Sequence, residues 1–349
     1  MSGGVDSLRT AILLREQGHE VFGIHMRFLP RDGDGPASED ESLLSELAVR
    51  CEIPLFTVDL CRQFDSYVIS PFVEAYLQGL TPNPCITCNP KMKFGLLLEA
   101  ALERGAERLA TGHYARLTAP AESGSGRYQL RRAKDPSKDQ SYFLMGLSQV
   151  QLARAVFPLG DYTKKETLAW AERTGLDTLI ARDSQEICFI PSGSYSDFMR
   201  ERSGVEASVS TGPILDMEGN YLGEHKGIQS YTVGQRRGLG VASTEPWYVV
   251  RIEPGENIVR VGRANDLFCE TFTVTGVNWV SIACPDGPIS CEVRIRNQHR
   301  PARAEVTPIG AKGASIRLLE PQRAVTPGQA AVFYRNDLLL GGGIISRPA

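Results

Sequence analysis

The chain lacks several things. Nowhere in its 349 residues do about 18 apolar residues run together, which excludes an α-helical membrane span. Cysteine is scarce, with eight in the whole chain, too few for a disulfide scaffold. A reducing, cytoplasmic setting is therefore expected. The opening residues, MSGGVDSLRT, show no basic stretch followed by an apolar one, so nothing there reads as a secretory leader. There is no internal repeat and no long low-complexity tract. Nor is one sign of charge in excess: 38 Lys and Arg against 41 Asp and Glu leave a net −3. That argues against bulk adhesion to nucleic acid or membrane and leaves only local basic patches for such contacts. What is present is ordinary for a soluble globular protein, 42% hydrophobic and 23% charged, at a length of two to three domains.

Up to about residue 110 helical and strand-like stretches alternate. Helices are predicted at 8–16, with Gly18 as the stop signal, at 41–51, through Phe72 and Leu77, and at 91–104. Strands are predicted at 21–26, 54–60 and 108–111. Alternation of this kind implies a parallel sheet with helices on both faces. From about 205 the texture becomes short β-rich runs punctuated by Gly, Pro and Asn, at 212–216, 221–223, 247–252, 258–261, 272–279, 291–296, 302–307, 314–319 and 330–334. Glu218-Gly219-Asn220 reads as a hairpin turn and Gly341-Gly342-Gly343 as a terminal turn. The pattern suggests a small β domain and a terminal barrel.

Three motifs carry chemistry. Ser2-Gly3-Gly4-Val5-Asp6-Ser7 directly precedes an amphipathic helix. Two glycines let the backbone approach an anion, and the helix start offers unpaired N–H groups and a partial positive charge. The Ser2 and Ser7 hydroxyls suit phosphate oxygens, and Asp6 suits Mg²⁺ or a helix cap; the plainer reading is a serine-capped helix start. In Thr81-Pro82-Asn83-Pro84-Cys85-Ile86-Thr87-Cys88-Asn89 the prolines exclude a helix, which would set the two cysteines on a stiff turn. A lone C-x-x-C suits metal binding or redox work, or two incidental loop cysteines. In Asp183-Ser184-Gln185-Glu186-Ile187-Cys188-Phe189-Ile190 a cysteine lies in an apolar, strand-like run, where cysteine is more often a small hydrophobe than a nucleophile.

These three motifs, with Thr111-Gly112-His113-Tyr114, Lys138-Asp139-Gln140-Ser141-Tyr142-Phe143-Leu144, the stretch 231–239 (YTVGQRRGL) and the terminal LGGGII, occur in the order of the tRNA-specific 2-thiouridylase (MnmA) family, which the chain resembles over nearly its full length. SGGVDS resembles the pyrophosphate loop of the ATP pyrophosphatases. The resemblance implies an α/β fold: a parallel-sheet ATP-pyrophosphatase domain (adenine nucleotide alpha-hydrolase-like) over 1–203, a small central β-rich domain over 204–267, and a C-terminal β-barrel over 268–349. In that fold a buried strand precedes the loop. Here Met1 stands where it would end, so the chain is expected to lack that strand.

The implied reaction is ATP-dependent 2-thiolation of the tRNA wobble uridine, with Mg²⁺ beside the nucleotide. ATP adenylates the C2 oxygen and a persulfide then displaces AMP, its terminal sulfur being acidic and nucleophilic near neutral pH. By matching position, Cys188 carries the persulfide and Cys88 is its partner. Ser2, Gly3, Gly4, Val5, Asp6, Ser7, Met26 and Gly112 hold ATP. Asn83, Pro84 and Cys85 meet the flipped base, and His113, Lys138, Asp139, Gln140, Arg296, Asn297 and Gln329 meet tRNA. Two basic groups are further candidates for RNA contact, Arg127, Arg131, Arg132, Lys134 and Lys138, and Arg294, Arg296, His299, Arg300 and Arg303, with Arg236 and Arg237 besides; each alone reads more plainly as a solvated face. A persulfide-donating relay from a cysteine desulfurase is the expected partner, and a monomer the expected state. Many relatives carry aspartate where Cys85 stands, so a [4Fe–4S] cluster on Cys85, Cys88 and Cys188 is a second sulfur chemistry to weigh. A synthetase of the same nucleotide-binding group would share the loop, and the missing strand leaves room for a non-catalytic tRNA-binding relative.

Overall fold

The computed structural model describes residues 1–30, 39–176, 187–190, 198–199, 202 and 210–346. The acidic loop from 31, Asp183 to Glu186, and the first predicted domain boundary lie outside the described residues.

The N-terminal part holds strands β1 (Gly23–Arg27), β2 (Leu55–Asp59), β3 (Leu109–Ala110), β4 (Ala115–Thr118), β5 (Gln129–Arg132) and β6 (Ala155–Val156). Its helices are α1 (Val5–Glu16), α2 (Glu39–Arg50), α3 over 61–77, α4 over 84–102, α5 (Gln149–Arg154) and α6 (Lys164–Thr174). Helix α1 ends where Gly18 turns left-handed at φ +86°. β1 pairs in parallel with β2, and β3 in parallel with β6, as the alternation implied. Among the described residues no strand joins the two pairs. Both pairs instead border one cavity of about 2070 Å³, β1 along 21–27 and β3 along 108–111. Met1 occupies part of that slot: its amine donates to the Ile24 carbonyl, and its own carbonyl lies 3.0 Å from His25 Nδ1. Burial, aided by the charge of Lys93, lowers the pKa of this amine to about 5.

Helix α4 corrects the reading of the proline-rich motif. Pro84 does not exclude a helix; it occupies the first helical position, where its missing N–H costs nothing. Asn83 caps the helix, its side-chain oxygen accepting from the Cys85 amide at 3.1 Å. From Asn89 to Leu97 the helix takes π geometry, interrupted by a kink at Gly95, whose φ −105°, ψ −105° is not helical. Gln151 on α5 supports the widened turn, donating to the carbonyls of Pro90 (2.8 Å) and Phe94 (2.9 Å).

The central sheet has order β8 (Tyr221–His225), β7 (Gly212–Leu215), β10 (Ile258–Gly262), β9 (Tyr248–Glu253). Its β7–β8 turn is organised by Asp216, whose carboxylate accepts from the amides of Glu218 and Asn220 and from the Asn220 side chain. The last part is a closed six-stranded barrel, β11 (Phe268–Trp279), β14 (Gly313–Arg323), β13 (Ala302–Ile309), β12 (Ile289–Arg294), β15 (Ala330–Arg335) and β16 (Leu338–Ile345), sealed by β16 against β11. Alternate residues fill it, among them Val274, Val306, Ile316 and Phe333. The β4–β5 hairpin adds to β16 through Arg131 and Leu338, so the first and last parts of the chain share a sheet.

Gly341 to Gly343 are not a turn. They lie inside β16, where a β-carbon would come within 2.5 Å of the Asn278 carbonyl at Gly341 and 2.8 Å of the Ala331 carbonyl at Gly342. Glycine is needed there for close backbone approach.

Candidate active site

The large cavity runs the length of β1 and β3 and extends past their carboxyl ends to Phe28 and Gly112, the side on which an open α/β sheet offers its ligand site. At one side lies the Ser2–Ser7 loop. Gly3 takes φ +79°, which glycine adopts without strain, and Gly4 is the N-cap of α1 without a side-chain capping bond. The hydroxyls knit the loop: Ser7 Oγ donates to the Gly4 carbonyl at 2.9 Å and lies 3.2 Å from Ser2 Oγ. A capless helix start beneath a glycine turn is suited to an anion. Ser2, Gly3, Gly4, Asp6 and Ser7 all line the cavity, as do Met26 and Gly112. Val5 does not; its side chain is buried with Leu8, Leu47 and Trp170.

Asp6 is firmly held. Both its oxygens accept from Lys164 Nζ, at 2.9 and 2.8 Å, and Oδ1 also accepts from the Tyr114 hydroxyl at 2.9 Å. Gly112 presses against it, since a β-carbon there would lie 2.8 Å from the Asp6 backbone carbon. With Lys164 and Tyr114 on Oδ1 and Lys164 on Oδ2, a Mg²⁺ at this carboxylate would have to share Oδ2 with Lys164.

Cys85, Cys88 and Cys188 line the same cavity together with Asn83 and Pro84. Cys85 and Cys88 stand three apart in the first turn of α4, hence on one face. The four described residues of the third motif form a turn rather than a strand. Phe189, 2% exposed, anchors that turn edge-on between Phe64 and Phe72, with ring centroids 5.8 and 5.3 Å away, and leaves Cys188 exposed. Burial pushes the Cys88 thiol up to about 11; Lys93 pulls it down, while Cys188 and Cys85 add to the rise. Cys85 and Cys188 keep exposed surface but lie in the wall of the cavity, where partial desolvation is the first cause that raises their thiols too. Among the described residues no three His, Cys, Asp or Glu side chains converge as a metal-binding group, these three cysteines included.

The residues matched to tRNA contact divide. His113 and Gln140 line the cavity. His113 is buried, 2.8 Å from Thr111 Oγ1, and desolvation lowers its pKa well below the ordinary value, with Lys93 adding to the fall. Gln140 accepts from the Tyr114 amide. Lys138 is exposed, whereas Asp139 is buried against Arg294. Arg296 is exposed on the barrel, and the Asn297 carbonyl accepts from Arg294. Gln329 donates to the Thr81 carbonyl at 2.7 Å, tying the barrel to the segment leading to Asn83. Much of the first basic group is structural: Arg127 donates to the carbonyls of Trp279 and Val280, Arg131 bridges to Asp337, and Arg132 stacks over Tyr334 at 4.1 Å.

Comparison with known proteins agrees with this layout. The family model described as tRNA methyl transferase HUP domain matches residues 1–192, that of the PRC-barrel domain matches 196–263, and the aminomethyltransferase beta-barrel domain matches 269–345. The tRNA-specific 2-thiouridylase MnmA 1 of Caldanaerobacter subterraneus subsp. tengcongensis is 44% identical over 355 residues, covering 99% of this chain and 96% of the relative. The chain belongs to the MnmA family of tRNA-specific 2-thiouridylases. Further MnmA proteins, from Chloroflexus aurantiacus (44% identical, 100% of this chain and 97% of the relative) and Geotalea uraniireducens (43%, 99% and 93%), agree over the same span. No helix among the described residues is long and apolar enough to cross a membrane.

The motif reading missed Lys93 and Lys164. Lys93 lines the cavity and acts electrostatically on all three thiols. It follows Cys85 and Asn89 at steps of four, a spacing that points to one helix face once Pro84 is taken as a helix start. Lys164 carries no local signal, since only the packing of α6 on α1 brings it to Asp6.

Proposed function

We propose that this MnmA-family enzyme converts a tRNA wobble uridine to 2-thiouridine using ATP, with Cys188 carrying the sulfur. The observation that supports this most is the opening of the Ser2–Ser7 loop and of Cys85, Cys88 and Cys188 into one cavity. A uracil C2 oxygen is a poor leaving group. In the proposed sequence it attacks the α-phosphorus of ATP held at the loop, and pyrophosphate leaves. The terminal sulfur of a Cys188 persulfide then attacks C2. The Cys88 thiolate attacks the inner sulfur of Cys188, breaking the S–S bond; sulfur stays on C2 and AMP departs with the oxygen. The product is 2-thiouridine and a Cys88–Cys188 disulfide, which a thiol reductant returns to the dithiol before a donor reloads the persulfide. The target base must leave its stack to be reached, and in this reading it meets Asn83 and Pro84, which line the cavity.

The role of Cys85 distinguishes this from cluster chemistry. Cys85→Asp is expected to retain 2-thiouridine formation from a persulfide donor in aerobic protein. Cys88→Ser and Cys188→Ser are expected to abolish it while keeping tRNA-dependent ATP–pyrophosphate exchange. A wild-type chain that binds tRNA but never exchanges pyrophosphate would instead be a non-catalytic relative. A reconstituted cluster whose loss in Cys85→Asp abolishes thiolation would replace the persulfide route.

A further inference from the structure

Lys164 stands in an unfavourable place for a lysine. It is the first residue of the 11-residue helix α6, at the positive end of the helix dipole, where a cation is disfavoured. Its side chain is only 10% exposed. A cation this buried is retained only where something opposite to it is held in return. That partner is Asp6, gripped through both oxygens. Asp6 sits in the first turn of α1, in the wall of the cavity where a polyphosphate would lie, whereas Lys164 is not among the residues lining it. The carboxylate thus faces the ligand and the ammonium stands behind it.

The supports on either side serve the same contact. The Lys164 amide donates to Asp135 at 3.0 Å, and Thr163 and Glu166 form a reciprocal capping box that fixes the start of α6. The Tyr114 hydroxyl, 3.0 Å from Thr167 Oγ1 on the next turn of α6, donates to Asp6. Gly112, two residues before Tyr114, packs against the Asp6 backbone. Two separate segments, α6 and the 112–114 stretch, converge to hold one carboxylate that belongs to the anion loop.

We propose that Lys164 is a positioning residue for nucleotide binding. It cancels the Asp6 charge so that the Ser2–Ser7 loop presents its helix start and hydroxyls, rather than a bare anion, to a nucleoside triphosphate. This rests on the reading that ATP phosphates occupy the loop. Without Lys164 the Asp6 carboxylate faces an oncoming tetra-anion a few ångströms away, across a partly desolvated boundary, and affinity falls.

The test measures equilibrium binding of a non-hydrolysable α,β-methylene ATP and of adenosine to the full chain at fixed ionic strength. Lys164→Met keeps the hydrophobic stem and is expected to weaken the triphosphate at least about tenfold while changing adenosine less than about twofold. The double variant Asp6→Asn/Lys164→Met is expected to recover triphosphate affinity to within about threefold of wild type, since the repelling charge is gone. Lys165→Ala, exposed on the same turn, should change neither ligand. Equal weakening of both ligands by Lys164→Met, no recovery in the double variant, or tighter triphosphate binding in Lys164→Met would overturn the proposal. A wild-type chain that binds neither the analogue nor adenosine would overturn the nucleotide-site reading itself.

Discussion

The guanidinium of Arg294, on the barrel strand β12, meets the carboxylate of Asp139 at 2.9 Å although 155 residues separate them. The second Asp139 oxygen accepts from the amides of Ala133 and Ser141, and Arg294 lies over the rings of Tyr142 and Tyr334. The Tyr334 hydroxyl in turn lies 3.1 Å from Ser141 Oγ. The segment that sequence matching assigned to tRNA contact is thereby fastened to the C-terminal barrel, next to Gln140, which lines the cavity. The two ends of the chain share one buried polar joint.

That joint makes the first prediction. The side chains of Arg294 and Asp139 are 12% and 4% exposed, so removing one strands the other charge. Arg294→Ala is expected to destabilise the chain by about 3–5 kcal/mol. Arg296→Ala, two residues away and exposed, should cost no more than about 0.5 kcal/mol. Urea unfolding of the two variants side by side checks this; equal, small losses would mean that the pair is not a joint.

Lys93 sets a pH dependence. The attacking form of Cys88 is its thiolate, and burial pushes the thiol up to about 11 while Lys93 opposes the rise. Sulfur transfer should therefore quicken as pH rises towards that value. Lys93→Met removes the opposing charge, raises the thiol further, and displaces the alkaline limb to higher pH. Near neutral pH the transfer step is expected to slow, because the thiolate fraction falls as the thiol pKa rises. Single-turnover rates on preloaded enzyme across pH 7 to 10 would show it; a Lys93→Met limb superimposed on wild type would remove Lys93 from the chemistry.

RNA contact by the barrel is tested through salt. Arg296 and Arg300 are exposed on one loop after β12. If both neutralise phosphates, the double Ala variant should flatten the slope of log affinity against log salt by up to about two. An unchanged slope would return them to the role of a solvated face.

Much of this was legible in the amino-acid sequence by itself. The alternation of helix and strand, the hairpin at Asp216–Asn220 and the run of barrel strands follow from local periodicity and turn chemistry, which require no knowledge of what lies opposite. The Ser2–Ser7 loop is of the same kind, since glycines before a helix start make an anion site wherever they fold. Further features depended on partners distant in the chain. Pro84 reads as a breaker until Asn83 is seen to cap the helix it opens. Gly341 to Gly343 read as a turn until the carbonyls of Asn278, Ala331 and Thr275 are found where their side chains would be. Basic residues such as Arg127, Arg131 and Arg294 read as a solvated face or an RNA surface, yet they hold carbonyls and carboxylates that only the docking of hairpin and barrel brings near. Local preference decided which elements form. Which charges are buried, which thiols share a cavity, and that Lys164 stands behind Asp6 were decided by packing, because a charge or a thiol takes its chemistry from neighbours that the order of residues does not reveal.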